Sequence, residues 1–407
     1  MTTPWKRVEP FAHELGPEAL AFAQKLLRCK SYSGDEKAAV KLCVEEMKRL
    51  GFDGAEIDRA GNAVGFLKGR GEGGRALMLN SHLDTVAVDE GEPWPFPAWE
   101  GRMEDGKLWG RGACDAKGPL AGQIFAAAAL RKAGAALDAS LYVVCAVQEE
   151  VGGLGTRAFL HDRKMDACVV GEPSNGFLML GHRGRVEVEV SFKGRAAHAA
   201  QPPKLSGAVN ALQPAGKFLT RLSRLSMKRE NFFGVSTAAA TRIVTAPGSV
   251  NVIPSLAKIT LDWRNVPSEG VDEILEKVRA LAQECLIPDS SVEVALAERR
   301  LRSWAGFEEA GPCLRRGFST QEPQEIIRAA SRALRRVHGR PVKASQWRFA
   351  TDGGDASAGG VLTVGYGEGD EALAHSCREH IGVAELQRGV AGNASLVLAL
   401  DEALARS

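Results

Sequence analysis

The chain has 407 residues, 44% of them apolar and 25% charged, with a formal net charge of +2. A chain this long outgrows a single hydrophobic core, which predicts two domains. The balanced charge, with no long Lys/Arg block, excludes nucleic acid and anionic membrane as primary partners.

No run of about 18 apolar residues occurs, so no transmembrane helix is expected. The opening MTTPWKRVEPFAHELG has no basic segment followed by an apolar one, and does not read as a secretory signal. The eight cysteines include no CxxC pair, which fits reduced thiols in a cytoplasmic protein.

Taken in chain order, residues 17–29 and 36–50 carry apolar positions three and four apart and read as helices. Residues 76–79 are a strand, and the alanine-rich stretch 118–133 is a long helix. LYVVCAV at 141–147 and ACVVGEP at 167–173 are continuous apolar runs, as strands buried on both faces should be. Strands separated by helices predict an α/β fold with a mixed, largely parallel sheet flanked by helices.

The pattern changes near Arg185. RVEVEVSFKG alternates apolar and polar residues and predicts a half-exposed antiparallel strand, as do TAAATRIVTAPG, AKITLDWRNV and SVEVALAERR. Helical stretches at 207–225 and 270–285 lie among them. Helix and strand signals resume with EIIRAASRALRRVHG and GVLTVGYG. The expected organisation is one α/β domain from 1–183 and 299–407, with a smaller α+β domain inserted at 184–298.

Candidate chemistry collects just after the predicted strands. His82 and Asp84 follow the first, Glu149 and Glu150 follow LYVVCAVQ, and Glu172 follows ACVVG. Asp115 precedes the alanine-rich helix, and His375 follows VLTVGYGEGDEALA. Each has a plain structural reading: a satisfied histidine, a helix N-cap, solvated loop charges, a turn residue before Pro173. Their joint arrival at one edge favours a site, since open α/β sheets build sites beyond the carboxyl ends of their strands. Glu149 and Glu150 would repel if both were desolvated, and a cation resolves that. Two histidines and several carboxylates suit a pair of divalent ions. Mixed nitrogen and oxygen donors favour zinc, with cobalt or manganese able to occupy the same ligands. No P-loop, GxSxG or HExxH motif is present.

SHLDTV, GRGACDAKG, QEEVGGLG, GEPS and AHSCREH, in this order, resemble metallopeptidase family M20. These are co-catalytic zinc hydrolases that include deacetylases, desuccinylases, dipeptidases and carboxypeptidases. The pattern around WRFATDGG looks most like the YgeY-type deacetylase or peptidase branch. The resemblance implies a zinc-peptidase-like catalytic domain and an inserted dimerisation or lid domain. It implies His82 and Glu172 on one ion, His375 and Glu150 on the other, and Asp115 bridging both. Glu149 would be the general acid/base for attack by a hydroxide held between the ions. Asp84 would hold the His82 imidazole from the same face of the strand.

FKGRAAHAAQP resembles the segment in which the family's smaller domain presents a histidine, here His198, across a dimer interface to stabilise an oxyanion. GSVNVIPSLAKITLDWRN resembles the substrate-binding segment and nominates Asn251 and Arg264, with Arg183 a further candidate; a salt bridge at the strand edge is the alternative for Arg264. Gly353 and Gly354 would let backbone approach the substrate. The implied activity is amide hydrolysis of an N-acyl amino acid by a homodimer. A dipeptidase or carboxypeptidase acting on short peptides is the alternative, and a non-catalytic binding homologue is a third reading.

Overall fold

The uninterrupted apolar runs form the middle of a nine-stranded sheet. In the computed structural model, Ser140–Ala146, Ala76–His82, Ala167–Val170 and Leu362–Gly365 lie side by side and parallel, with Leu79 opposite Val143 and Val169. Every residue of Ala76–His82 is buried, which is why these runs show no alternation. Gly54–Ile57 and Ala63–Leu67 extend one side of this block with antiparallel pairing. Leu178–His182 pairs antiparallel beyond Leu362–Gly365. The sheet is therefore mixed, with its parallel strands at the centre.

Lys117–Lys132 is apolar nearly all round and buried along most of its length, as a helix covered on several sides should be. It packs on the strand Ala76–His82 and on the long helices Pro4–Leu27 and Val383–Arg406. Another core joins Met78, Val144 and Cys168 to Phe159, Trp347 and Ala356. The first helix begins at Pro4, ahead of the expected start at residue 17, because Trp5, Val8, Ala12 and Leu15 continue its buried stripe; Pro10 and Pro17 lie inside it.

The described residues are 4–71, 74–89, 91–201 and 203–406; Pro202 of the His198 segment is outside them. They divide into two compact units. The larger comprises residues up to Gly181, Leu301–Glu309 and Phe318 onward, and the smaller comprises His182–Arg300 and Ala310–Gly317. Residues 310–317 join the smaller unit because Leu314 and Arg315 pair with the strand Arg185–Lys193.

The smaller unit carries a five-stranded antiparallel sheet, with Thr237–Ala246, Leu256–Arg264, Arg185–Lys193 and Ser291–Leu296 in that order. The alternation seen in the sequence is the burial pattern: Val186, Val188, Val190 and Phe192 face the core, opposite Ile259, Leu261 and Trp263. Helices Leu212–Leu222 and Val271–Gln283 contribute Phe218, Ile274 and Val278 to it. Thr237–Ala246 is an edge strand with Ile243 and Val244 exposed. No helix among the described residues is long and apolar enough to cross a membrane.

Candidate metal centre

Three adjacent parallel strands end at the same edge and deliver the first donors. His82 is the last residue of its strand, Glu149 and Glu150 follow Ser140–Ala146, and Glu172 follows Ala167–Val170. Asp115 stands just before helix Lys117–Lys132, at a cis Asp115–Ala116 peptide. His375 lies just after the short 3₁₀ turn Glu371–Leu373, with φ of 61°.

These groups converge. His82 Nε2 lies 2.9 Å from Asp115 Oδ1 and 3.5 Å from Glu172 Oε1. His375 Nε2 lies 3.1 Å from Asp115 Oδ2 and 3.1 Å from Glu150 Oε1. Donor atoms of His82, Glu149 and Glu172 fall within 4.8 Å of one another, as do those of His82, Asp115 and Glu150. Two ligands each about 2 Å from one tetrahedral ion lie roughly 3.3 Å apart, so the observed separations fit shared coordination. A second observation agrees: Glu172 Oε2 is buried with no hydrogen-bond partner.

The electrostatics have the same origin. Burial pushes Glu172 up to about 7, opposed by His82 and reinforced by Asp115 and Glu150. Burial, then Asp115, raises Glu150. Burial alone would also raise Asp115, but hydrogen bonds from His375 and His82 outweigh it and hold that carboxyl below its usual range. Burial disfavours the His82 imidazolium, yet Glu172 and Asp115 raise its pKa well above the ordinary value. Hydrogen bonds to Asp115 and Glu150 push His375 up to about 10. Protons on the imidazoles balance the carboxylates, and a divalent ion would displace them, since ligation requires neutral imidazole and ionised carboxylate.

Asp84 stands beside the His82 ring and also holds the loop that carries Glu149. His82 Nδ1 donates to the Asp84 backbone oxygen at 2.8 Å, while the nearer carboxylate oxygen is 3.8 Å away. The buried Asp84 carboxylate accepts from Glu149 N at 3.0 Å, Glu150 N at 3.1 Å and Ser33 Oγ at 2.6 Å. Glu36, which sequence reasoning missed, accepts from Gln148 N at 3.2 Å and Gly34 N at 2.8 Å, and burial beside Asp84 pushes it up to about 7. Two buried carboxylates thus hold three consecutive N–H groups of the loop that carries Glu149. Ser33 and Glu379 were missed as well. Glu36 and Ser33 lie outside every motif quoted from the sequence, and Glu379 lies within AHSCREH, where only His375 was given a role.

The remaining candidates lie apart from this cluster in the chain. His198 is exposed, and its Nδ1 accepts from Ala200 N at 3.1 Å. Ala199 N donates to Asn251 O at 2.9 Å, so the His198 and Asn251 segments are neighbours. Arg264 bonds Asp262 through Nε at 2.6 Å and Nη2 at 3.2 Å, a salt bridge at the end of an interior strand rather than at a sheet edge. Arg183 donates to Val235 O at 2.9 Å. Gly353 and Gly354 are buried at the start of helix Gly353–Ala358, and a Cβ on Gly353 would come 2.7 Å from the Phe318 ring, so packing alone requires glycine there. A cavity of about 900 Å³ bounded by Trp5, Arg332, Ser395 and Arg406 includes none of the clustered residues.

The profile of peptidase family M20/M25/M40 matches residues 78–399. The chain is 27% identical over 383 residues to the uncharacterized protein YgeY of Escherichia coli K12, covering 92% of this chain and 93% of that one. It is 28% identical over 369 residues to acetylornithine deacetylase of Myxococcus xanthus, covering 88% of each. Its fold matches the solved structure of YXEP from Bacillus subtilis, a dinuclear metal binding peptidase, with a TM-score of 0.73 at 16% identity over 96% of this chain and 99% of that one. The chain belongs to peptidase family M20/M25/M40 and is a hydrolase of amide or peptide bonds.

Proposed function

We propose that this hydrolase is a cytoplasmic di-zinc deacylase that cleaves the amide bond of an N-acyl amino acid. The observation that carries the reading is Asp115, whose Oδ1 meets His82 at 2.9 Å and whose Oδ2 meets His375 at 3.1 Å. One carboxylate facing two imidazoles is the donor arrangement two neighbouring cations need. His82 and Glu172 would complete one position, His375 and Glu150 the other, with zinc favoured by the mixed donors. Two divalent ions, when bound, would supply Lewis acidity at the scissile carbonyl and acidify a water between them.

Glu149 is the general acid/base in this reading. Its carboxylate takes a proton from the attacking water as the new C–O bond forms, and returns it to the amine nitrogen as the C–N bond breaks. Its own N–H, bonded to Asp84, fixes the backbone from which it projects. The substrate carboxylate falls to Asn251, Arg264 and Arg183, with backbone access at Gly353 and Gly354. Asp262 takes Nε and Nη2 of Arg264, so a substrate would meet the Nη1 end. His198 is assigned to oxyanion stabilisation in the site of a second subunit. Its exposure supports this, and the uncovered edge Thr237–Ala246 offers hydrogen-bonding groups and apolar Ile243 and Val244 for a homodimer. The cytoplasmic assignment is supported by eight free cysteines.

Metal analysis and a panel of N-acetyl amino acids against dipeptides and longer peptides test the proposal. The expected result is up to two ions per chain and preferred turnover of N-acyl amino acids. Preferred turnover of dipeptides, or release of C-terminal residues, reassigns the centre to a dipeptidase or carboxypeptidase. A folded chain that binds no divalent ion overturns the di-metal reading. Mixing a His198 variant with a Glu149 variant should restore activity if His198 acts across subunits; proven exchange without recovery removes that role.

A further inference from the structure

Glu379 is fully buried beside a cluster that already holds four carboxylates. An isolated buried charge costs several kcal/mol, and a buried ion pair is often no more stable than apolar residues of the same size. Stability alone therefore gives a weak reason for it. Its bonds give a stronger one. Glu379 Oε2 accepts from Arg111 Nη1 at 2.7 Å, and Arg111 is itself buried against the Trp94 ring. Glu379 Oε1 accepts from Cys114 N and Asp115 N, each at 3.2 Å. The same residue's backbone oxygen accepts from Gly110 N at 3.1 Å, and the strand His380–Gly382 pairs with Lys107–Trp109.

Glu379 thus grips the turn from which Asp115 projects, while His375 lies four residues before it on its own segment. We propose that Glu379 is a positioning residue for the shared ligand: it fixes the Asp115 backbone through two N–H bonds and ties the His375 segment to it, setting the separation of the two metal positions. This rests on the di-metal reading above. A carboxylate that must face two imidazoles tolerates little displacement, since shifts of about 1 Å at a site cost on the order of a hundredfold.

The test uses the full chain, stripped of metal and titrated with zinc against a chelator of known affinity. Glu379→Asp keeps the charge for Arg111 but withdraws the oxygen from both N–H groups by one methylene. The double variant Arg111→Met/Glu379→Gln removes the ion pair but leaves an amide oxygen for those N–H groups. Zinc affinity should fall about 10- to 100-fold in Glu379→Asp and stay within about threefold of wild type in the double variant. An ion pair that serves stability alone predicts zinc affinity near wild type in both variants. The inference is overturned if Glu379→Asp binds zinc like wild type, or if the double variant is weakened as much as Glu379→Asp. Urea melts of the metal-free proteins run alongside; loss of cooperative unfolding in either variant makes the pair a stability element and also overturns it. Failure of wild type to take up zinc is a separate result, which sinks the di-metal reading first.

Discussion

Asp84→Asn separates two ideas about the residue beside His82. The carboxylate is fully buried and accepts three hydrogen bonds, from Glu149 N, Glu150 N and Ser33 Oγ. An amide of the same shape keeps one oxygen. Turned to retain Ser33 and Glu150, it directs its NH₂ at the Glu149 N–H, losing a charge-assisted bond and opposing two donors. Such a bond contributes about 1.5–3 kcal/mol, and an unsatisfied buried donor costs a similar amount. If about 2–3 kcal/mol of this is expressed in placing the base, kcat falls about 30- to 150-fold. His82 should be undisturbed, because its Nδ1 is held by the Asp84 main-chain oxygen, which the substitution leaves in place. The expected outcome is a large drop in kcat with metal content and KM close to wild type. Steady-state kinetics on the preferred N-acyl substrate, with metal analysis of the same sample, read this directly. Loss of bound metal would show that the carboxylate acts through His82 after all, and kcat within twofold of wild type would remove the clamp from the mechanism.

Glu149→Gln should lower kcat by on the order of a hundredfold or more while leaving metal content unchanged; turnover near wild type in a single-turnover assay would reassign the base. The metal-free chain should lose stability as pH rises. Glu172 titrates at about 7 because it is buried, and His375 at about 10 because Asp115 and Glu150 bond it. Both values are raised, so each contribution is complete below the unfolded pKa and fades as pH climbs through the folded one. Melting temperature should fall between about pH 4.5 and about pH 10, through Glu172 in the lower part of that range and His375 in the upper part, and zinc should restore more of it at the alkaline end, where ligation has fewer protons to displace; a flat profile without metal contradicts the assignment. Gly353→Ala should cost about 1–3 kcal/mol in urea unfolding, because its Cβ meets the Phe318 ring at 2.7 Å. A raised KM with unchanged stability would instead return this glycine to the substrate.

What the sequence disclosed, and what it hid, follows from which interactions restrict residue type. The period-two run from Arg185 could only be half-buried strand, and the unbroken run at Ser140–Ala146 only a strand covered on both faces; both patterns are imposed by burial, and both are seen. His82, Asp115, Glu150, Glu172 and His375 were legible for a similar reason, since few side chains can bind a divalent ion and these five come together. Asp84 was legible as a residue but not as a contact. Its carboxylate lies 3.8 Å from the His82 ring, whose hydrogen bond goes to the Asp84 main chain, and it also accepts from N–H groups 65 and 66 residues away, which no residue pattern announces. Glu36 left no trace because its partners are main-chain amides, and every residue except proline supplies an identical one, while Glu379 stands within AHSCREH but its contacts to Arg111 and the Asp115 turn lie more than 260 residues away. The first helix extends to Pro4, ahead of the expected 17–29, for a related reason: its apolar stripe from Trp5 to Leu27 is satisfied by burial against helices distant in sequence. Ligands therefore show in the residue alphabet, whereas the groups that aim them are found only once the backbone has a path. That is why the carboxylates gripping the 148–150 loop and the Asp115 turn are better targets for variants than the proposed ligands: changing a proposed ligand asks only whether a metal matters, while changing its holder asks how closely the geometry is set.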